Sequence, residues 1–322
     1  MADRGPVVTG FHDEATDGVA YLAADPATGC CAIIDPMLDF DRTRGGTQTR
    51  SADRIVAFVW DRGLTVEWVL DTRPHAGPLS AAAYLKGVFG APMATGEHVV
   101  IVREVREETY ASSGFPATGS RWDRLFEDGD RFRVGELEAE VFCSSGRVAA
   151  STTYAIGDAA FVHDALFVPD GGTTRAGSSR GDARALRRIL SLPPRTRLFA
   201  GRGHRPDGWA PRWETTVADQ LRSNPHLRDG VTEGESARGH DHTPLPPGPP
   251  PDALRVNAGC GYLSEPGADG ARRPVPLDRF REARCAADRG RGDHVAGRGD
   301  GGSPSVGDRG VPRGRAPLKL VR

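Results

Sequence analysis

Asp71-Thr72-Arg73-Pro74-His75-Ala76-Gly77-Pro78-Leu79-Ser80 is the stretch on which the interpretation of the fold depends, and it follows an apolar run at residues 66–70 that is typical of a strand. A metal-binding loop of the type T-H-x-H-x-D-H has the same spacing and also follows a strand. Of its four ligand positions, only the one occupied by His75 carries a metal donor here. Arg73 is permanently cationic, Gly77 has no side chain and Pro78 has no donor atom, so these three residues bind no divalent metal. The stretch therefore has the spacing of a metal-binding loop but lacks three of its four ligands.

The first third of the chain alternates strand-like runs with helical patterns. Apolar runs at residues 19–24 and 30–35 flank Asp-Pro-Ala-Thr-Gly, which predicts an opening hairpin. Ser51 is a candidate N-cap for a helix at residues 52–61 that Gly63 ends. In the same way, Ser80 is a candidate N-cap for a helix at residues 81–88, before Gly90.

Hairpin patterns dominate the next part of the chain. Strands are predicted between residues 123 and 143, with turns near Gly129 and Gly135, and at residues 152–156 and 160–162. Helices are predicted at residues 183–190 and 213–221, with a strand at residues 197–200 between them. Hairpins that alternate with helices predict an α+β protein in which helices enclose two sheets, rather than a parallel dinucleotide-binding sheet.

Composition excludes several function classes. The chain has 322 residues, 38% of them hydrophobic, and a formal net charge of -1, which suits a globular protein without a nucleic-acid-binding signature. Its five cysteines show no C-x-x-C spacing, so neither a disulfide framework nor a zinc knuckle is predicted. The N-terminus lacks an apolar h-region and no run of eighteen apolar residues occurs. These features predict a cytoplasmic protein that does not bind a membrane. Oligomeric state stays open.

Longer phrases carry a family resemblance. They are Ala-Ile-Ile-Asp-Pro-Met-Leu-Asp-Phe-Asp at residues 32–41, Leu-Thr-Val-Glu-Trp-Val-Leu at 64–70, Trp-Glu-Thr-Thr-Val at 213–217 and Pro-Asp-Gly-Gly-Thr-Thr-Arg at 169–175. The chain resembles the metallo-β-lactamase superfamily, in the branch of persulfide dioxygenases and glyoxalase II-like thioester hydrolases. The last phrase is similar to the P-D-x-G-T-x-R segment of bacterial persulfide dioxygenases. The resemblance implies an αββα sandwich.

The resemblance also divides the chain. Residues 10–232 are expected to form the sandwich domain, and residues 254–280 its C-terminal part. A proline-rich, eroded linker at residues 233–253 separates them. Residues 281–322 are rich in Gly, Arg and Asp with almost no large apolar residue, so they are expected to be a disordered tail.

The family collects its metal ligands from loops at one edge of the sandwich, and the resemblance assigns each position here. Two of the seven positions keep a donor, the remnant ligands His75 and Asp164. The substituted positions are Arg73, Gly77, Pro78, Arg147 and Arg202. Intact relatives would use Fe(II) or zinc, but this chain is expected to hold no metal and to have no catalytic residues. Its function is predicted to be that of a metal-depleted pseudoenzyme, and whether it is an enzyme stays open.

Two alternatives remain. The arginines Arg73, Arg147, Arg175 and Arg202 would converge on one cleft in the family fold and would suit a small anionic thiol such as glutathione, because guanidinium groups bind carboxylate and phosphate bidentately. Alternatively, the chain is an active metal-dependent hydrolase or sulfur dioxygenase that uses a depleted site, or one rebuilt from His75, His163, Asp164 and His204. Strand alternation argues against His163 as a ligand, because neighbours on a strand face opposite ways.

Overall fold

The computed structural model describes residues 5–41, 46–72, 79–97, 99, 122–143, 151–163, 165–166, 186–204 and 212–224. The strands in these ranges are β1 (Val7–Asp13), β2 (Gly18–Ala24), β3 (Cys30–Ile34), β4 (Met37–Asp41), β5 (Gly46–Gln48), β6 (Thr65–Leu70), β7 (Leu79–Ser80), β8 (Met93–Gly96), β9 (Arg124–Phe126), β10 (Arg131–Val134), β11 (Leu137–Cys143), β12 (Thr152–Ile156), β13 (Ala159–His163), β14 (Arg197–His204) and β15 (Arg212–Thr216). The helices are α1 (Arg50–Asp61), α2 (Ala82–Phe89) and α3 (Val217–Ser223), and residues 186–190 are also helical.

The long strands form two sheets. The first has the order β1-β2-β3-β6-β8-β9, in which β3, β6, β8 and β9 run parallel to one another. The second has the order β10-β11-β12-β13-β14-β15 and is antiparallel except between β13 and β14. A single residue pair, Arg202 with Gly18, joins the two sheets. A small third sheet has the order β5-β4-β7.

Side-chain alternation along the strands builds three apolar layers. Val19, Tyr21 and Ala23 of β2 face a core shared with Phe161 of β13 and Phe199 of β14, which lie on the second sheet. The intervening residues of β2 face a core with α1 and α2, and the outer face of the second sheet packs on residues 186–190 and on α3. Because each strand has period two, one face of each sheet meets the other sheet and the opposite face meets helices. The expected αββα sandwich is confirmed.

The predicted opening hairpin is present as β2 and β3, and Gly29 adopts the positive φ of +73° that its turn needs. The sequence analysis missed β1, which pairs with β2 along its whole length. The hairpin at residues 152–163 is confirmed, with Gly157 at φ +57° between β12 and β13.

Two helix predictions are confirmed, but both predicted N-caps are wrong. Helix α1 begins at Arg50, and Ser51 does not cap it, because its hydroxyl donates to Asp39 at 2.7 Å. Gly63 follows the end of α1 at φ +60°, as predicted. The N-cap of α2 is Ala81 and not the predicted Ser80, whose hydroxyl accepts from the amide of Ala82 at 3.1 Å from one position before the cap.

The helix predicted at residues 213–221 is wrong in its first half. Residues Arg212–Thr216 form β15, because they pair with the edge of β14, and the helix α3 starts only at Val217. Thr216 caps α3, since its side-chain oxygen accepts from the amide of Asp219. Within the described residues, none of the helices has the length and apolar character needed to span a bilayer. The predicted linker at residues 233–253, C-terminal part at 254–280 and tail at 281–322 lie outside the described residues.

Candidate functional site

The structure describes one of the predicted site residues, Arg202, and the residues that flank the others. The remaining predicted site residues lie outside the described residues: Arg73, His75, Gly77, Pro78, Arg147, Asp164 and Arg175. The flanking residues Thr72, Thr152, His163 and Gly201 gather with Asp35 at one edge of the sandwich, which we name the ligand edge. The geometry of this edge shows how the chain brings together four segments that are distant in sequence.

Asp35 and Thr72 form the first contact of the ligand edge. Asp35 follows β3 and Thr72 follows β6, and the carboxyl ends of these parallel neighbours lie side by side. The carboxylate of Asp35 accepts from the amide of Thr72 at 2.7 Å and from its hydroxyl at 2.8 Å. The carbonyl of Thr72 in turn accepts from the amide of Thr152 at 2.6 Å. Asp35, Thr72 and Thr152 are therefore linked by one chain of hydrogen bonds.

His163 and Gly201 form the second contact. The ring nitrogen Nε2 of His163 lies 3.8 Å from Oδ2 of Asp35, within ion-pair distance when the imidazole is protonated. A Cβ atom on Gly201 would lie 2.6 Å from Cε1 of the same imidazole, so the backbone of β14 packs directly on this ring. Gly201, and with it the β14 segment that carries Arg202, is thus packed against His163 at this edge.

The backbone at His163 departs from regular strand geometry. His163 has a φ of +44°, and the pairing of β13 with β14 shifts register between Phe161 and His163. A register shift at a strand end re-aims side chains, so period two does not apply there. Within the described ranges, no three His, Cys, Asp or Glu side chains form a group that would hold a metal ion. The side chain of His204 lies outside the described residues.

Arg202 lies half-buried on β14 at the junction of the two sheets, opposite Gly18. Beside it, the amide of Gly203 donates to the carbonyl of Asp17 at 3.1 Å, which holds the turn between β1 and β2 against this junction. The hydroxyl of Tyr21 donates to the carbonyl of Ala200 from the inner core. Arg202 therefore sits on a strand segment fixed from two sides.

Asp71 is a buried acid next to the ligand edge, and the residue is only 1% exposed to solvent. Its backbone carbonyl accepts from Thr95 at 2.9 Å and from Tyr154 at 3.0 Å, whereas neither carboxylate oxygen has a hydrogen bond. Burial, and then the charge of Asp35, raise the pKa of Asp71 well above its usual range, while Ser80 opposes the rise. Burial therefore favours the neutral, protonated form of this carboxyl.

Cys143 is a structural cysteine. The residue is buried, and burial raises the pKa of its thiol to about 12. Its sulfur lies 4.0 Å from the hydroxyl of Thr152 and 3.7 Å from the carbonyl of Phe126. The thiol is therefore protonated and packed in the core.

Sequence reasoning missed Asp35, Asp71 and Thr72 as parts of the site. A signal was present, because the apolar runs of β3 and β6 both end in an aspartate. Carboxyl ends of adjacent parallel strands meet at one edge of a sheet, where sites are commonly built. An acidic residue directly after each of two apolar strands was therefore the signal that could have predicted this part of the site.

No protein-family model matches the chain. A β-lactamase hydrolase-like protein of Agrobacterium fabrum is 50% identical over 272 residues, which cover 82% of this chain and 63% of that protein. A protein named probable metallo-hydrolase, of Burkholderia pseudomallei, is 41% identical over 290 residues, covering 84% of this chain and 99% of that protein. A hydroxyacylglutathione hydrolase of Rhodospirillum rubrum is 28% identical over 191 residues, covering 58% and 62% of the two chains.

Among solved structures, the crystal structure of ETHE1 from Myxococcus xanthus superposes with a TM-score of 0.58 at 24% sequence identity, covering 80% of this chain and all of that chain. This likeness shows the fold. The chain spans 63% of the length of the Agrobacterium relative, so the comparison covers only part of that protein.

Proposed function

Because the chain belongs to the metallo-β-lactamase superfamily, in its glyoxalase II- and ETHE1-like part, we propose that it is a metal-depleted member that binds a small anion at the ligand edge. The observation that supports this proposal is the identity of the residues at the metal-ligand positions. Five of the seven positions that the resemblance assigns to metal ligands hold arginine, glycine or proline. The chain therefore does not run a metal-dependent hydrolysis or sulfur dioxygenation.

The residues present do not fit a catalytic metal. One imidazole and one carboxylate, His75 and Asp164, are fewer donors than the three or more protein ligands of catalytic metal sites. Arg73, Arg147 and Arg202 replace three donors with fixed positive charges. At a separation of ~4 Å, each guanidinium repels a unit positive charge by ~4 kcal/mol at an effective dielectric of ~20. The substitutions thus oppose a cation as well as failing to bind it.

The same substitutions favour an anion. Arginine presents a planar fork of N–H donors that matches carboxylate and phosphate groups. Arg202 on β14 is paired with Gly18 and follows Gly201, whose backbone packs on the His163 ring at the ligand edge. The Rhodospirillum relative is named for a glutathione thioester, and glutathione itself is a small anionic thiol with two carboxylates. Glutathione is therefore the first ligand to test.

Metal content separates the proposal from an active enzyme with a depleted or rebuilt site. We expect the purified protein to contain iron, zinc and manganese far below one equivalent, with neither persulfide-dependent oxygen uptake nor thioester hydrolysis. The fivefold variant R73H/G77D/P78H/R147H/R202H, which restores the donors, is the matched positive control for metal recovery. Stoichiometric metal in the natural chain, with turnover abolished by Asp164→Ala, would overturn the proposal.

Anion binding is measured by thermal unfolding with glutathione and, separately, with inorganic phosphate. A ligand at 100 times its Kd stabilises the folded state by about 2.7 kcal/mol, which raises Tm by several degrees in a domain of this size. Arg202→Gln is expected to reduce this rise. Arg222→Gln is the control, because Arg222 is exposed on α3 and pairs with Asp219. No change in Tm at millimolar concentration of either anion would remove anion binding from the proposal.

A further inference from the structure

We propose that Tyr21 is a positioning residue for anion binding: its buried hydroxyl fixes the part of β14 that carries Arg202. We name residues 200–203 the junction segment, because Arg202 within it pairs with Gly18 and joins the two sheets. The consequence of Tyr21 for anion binding rests on the proposed function above. Its consequence for the backbone of the junction segment does not, and the two are measured separately.

The junction segment lacks the ladder partners that the rest of β14 has. Strand β14 pairs with β13 only as far as Ala200, and its pairing with β15 skips residues 200–203. Among the described residues, the pairing of Arg202 with Gly18 is the ladder contact that continues beyond Ala200. Gly201 and Gly203 are nevertheless buried. Because buried amides and carbonyls need hydrogen-bond partners, the segment depends on contacts from outside its own ladders.

Tyr21 supplies the first of these contacts. Its hydroxyl donates to the carbonyl of Ala200, 179 residues away in sequence. Tyr21 is 2% exposed, and its ring packs on Phe161 and Phe199, with ring centroids 5.5 and 5.4 Å away. Because these rings already order the side chain of Tyr21, its hydrogen bond to β14 requires little further loss of side-chain freedom.

The environment of Tyr21 keeps its hydroxyl a hydrogen-bond donor. Burial, followed by the charges of Asp35 and Glu214, raises the pKa of Tyr21 well above its usual value. The phenol therefore stays protonated at neutral pH. Removing its oxygen would take a donor from the carbonyl of Ala200 in an environment where an unsatisfied polar group is costly.

The turn between β1 and β2 holds the other end of the junction segment. The amide of Gly203 donates to the carbonyl of Asp17 at 3.1 Å. Asp17 has a φ of +57°, and its carboxylate lies 2.8 Å from Nε2 of His12. Arg202 thus lies between two residues that are held from the β1–β2 hairpin. Loss of the Tyr21 contact should loosen the segment at one end, and the Gly203 amide reports this at the other end.

The backbone test compares Tyr21→Phe with Tyr84→Phe in the full chain. Both tyrosines are 2% exposed and both substitutions remove one hydroxyl hydrogen bond, but Tyr84 donates to Asp53 at 2.5 Å between α2 and α1. We expect Tyr21→Phe to accelerate hydrogen exchange of the Gly203 amide by roughly fivefold. It should also shift the amide nitrogen resonance of Gly201, whose peptide group contains the Ala200 carbonyl. Tyr84→Phe should leave both signals unchanged.

Titration calorimetry with glutathione measures the consequence for binding. Tyr21→Phe should raise the Kd for glutathione by roughly fivefold, whereas Tyr84→Phe should bind it as the natural chain does. A purely structural role of Tyr21 would lower the stability of both variants without separating their Kd values.

The outcomes separate the two proposals. Unchanged exchange at Gly203 together with an unshifted Gly201 resonance in Tyr21→Phe would overturn the positioning role. Equal Kd values in Tyr21→Phe and Tyr84→Phe would overturn the part of Tyr21 in binding. If the natural chain does not bind glutathione, the anion proposal fails, while the exchange result still decides whether Tyr21 fixes the junction segment.

A measurement on the natural chain covers the case in which Tyr21→Phe does not fold. The hydroxyl proton of Tyr21 should give its own NMR resonance in water, with a nuclear Overhauser contact to the amide of Gly201, because burial and the bond to Ala200 slow its exchange. Tyr154 is the internal reference, since it is also fully buried and donates to the carbonyl of Asp71 at 3.0 Å. A visible hydroxyl proton for Tyr154 but none for Tyr21 would contradict the proposal.

Discussion

Asp71→Asn is expected to stabilise the protein at neutral and alkaline pH. The carboxylate of Asp71 is buried without a hydrogen bond to either oxygen, and its charged form is opposed first by burial and then by Asp35. Folding at pH 7 is therefore penalised, by at most the free energy needed to protonate an ordinary aspartate at that pH. Protonating an ordinary aspartate at pH 7 costs about 4 kcal/mol, from ~1.4 kcal/mol per pH unit above its usual pKa of ~3.9. The neutral amide avoids this cost but is itself buried and polar, so we expect a net gain of about 1–3 kcal/mol.

The raised pKa of Asp71 determines how the effect of Asp71→Asn on stability changes with pH. Because burial raises the pKa of Asp71 in the folded state, its contribution to stability is fully present below the unfolded pKa and is lost as pH rises through the folded pKa. Asparagine does not titrate. The advantage of Asp71→Asn over the natural chain should therefore be small at pH 4 and should grow towards pH 8.

The assay is urea unfolding at pH 4, 6 and 8, with Asp25→Asn as the matched control. Asp25 is also a buried aspartate, but it accepts from Ala27 at 3.0 Å, from Thr28 at 2.7 Å and from Glu136 at 2.9 Å. Asp25→Asn should lower the free energy of unfolding by about 1 kcal/mol or more, whereas Asp71→Asn should raise it. If Asp71→Asn is less stable than the natural chain at pH 8, or if its effect does not change with pH, the assignment of a neutral buried acid is refuted.

Three further substitutions test the fold by urea or thermal unfolding. Gly135→Ala should cost about 2 kcal/mol or more, because Gly135 has a φ of +58° and a Cβ atom would overlap Thr28 Oγ1 and Asp25 Oδ2; stability within 0.5 kcal/mol of the natural chain would contradict this contact. Phe161→Ala should cost about 3–5 kcal/mol, since the ring is buried in the core between the sheets, and a small loss would indicate that the core collapses into the cavity. Thr216→Ala should cost about 1 kcal/mol through loss of the α3 cap, whereas Thr216→Ser should retain most of the stability.

Some features of the candidate site follow from residue type alone, and others depend on contacts between residues that are distant in sequence. The loss of metal donors at Arg73, Gly77 and Pro78 follows from residue chemistry alone, because no tertiary arrangement gives these side chains a lone pair for a metal. The contact of Asp35 with His163 spans 128 positions in sequence and depends on a register shift in β13. No local sequence pattern therefore predicts it.

The sequence by itself determined the strands β2, β3, β12 and β13, the helices α1 and α2, and the turns at Gly29 and Gly157, because apolar period and turn chemistry act over a few neighbouring residues. Only the tertiary structure decided that residues Arg212–Thr216 form a strand, since the edge of β14 supplies hydrogen bonds that outweigh the local helical pattern. It also decided the pairing of β1 and the direction of the His163 ring. Pairing and register join residues far apart in the chain, and their free energy exists only once both partners are in place.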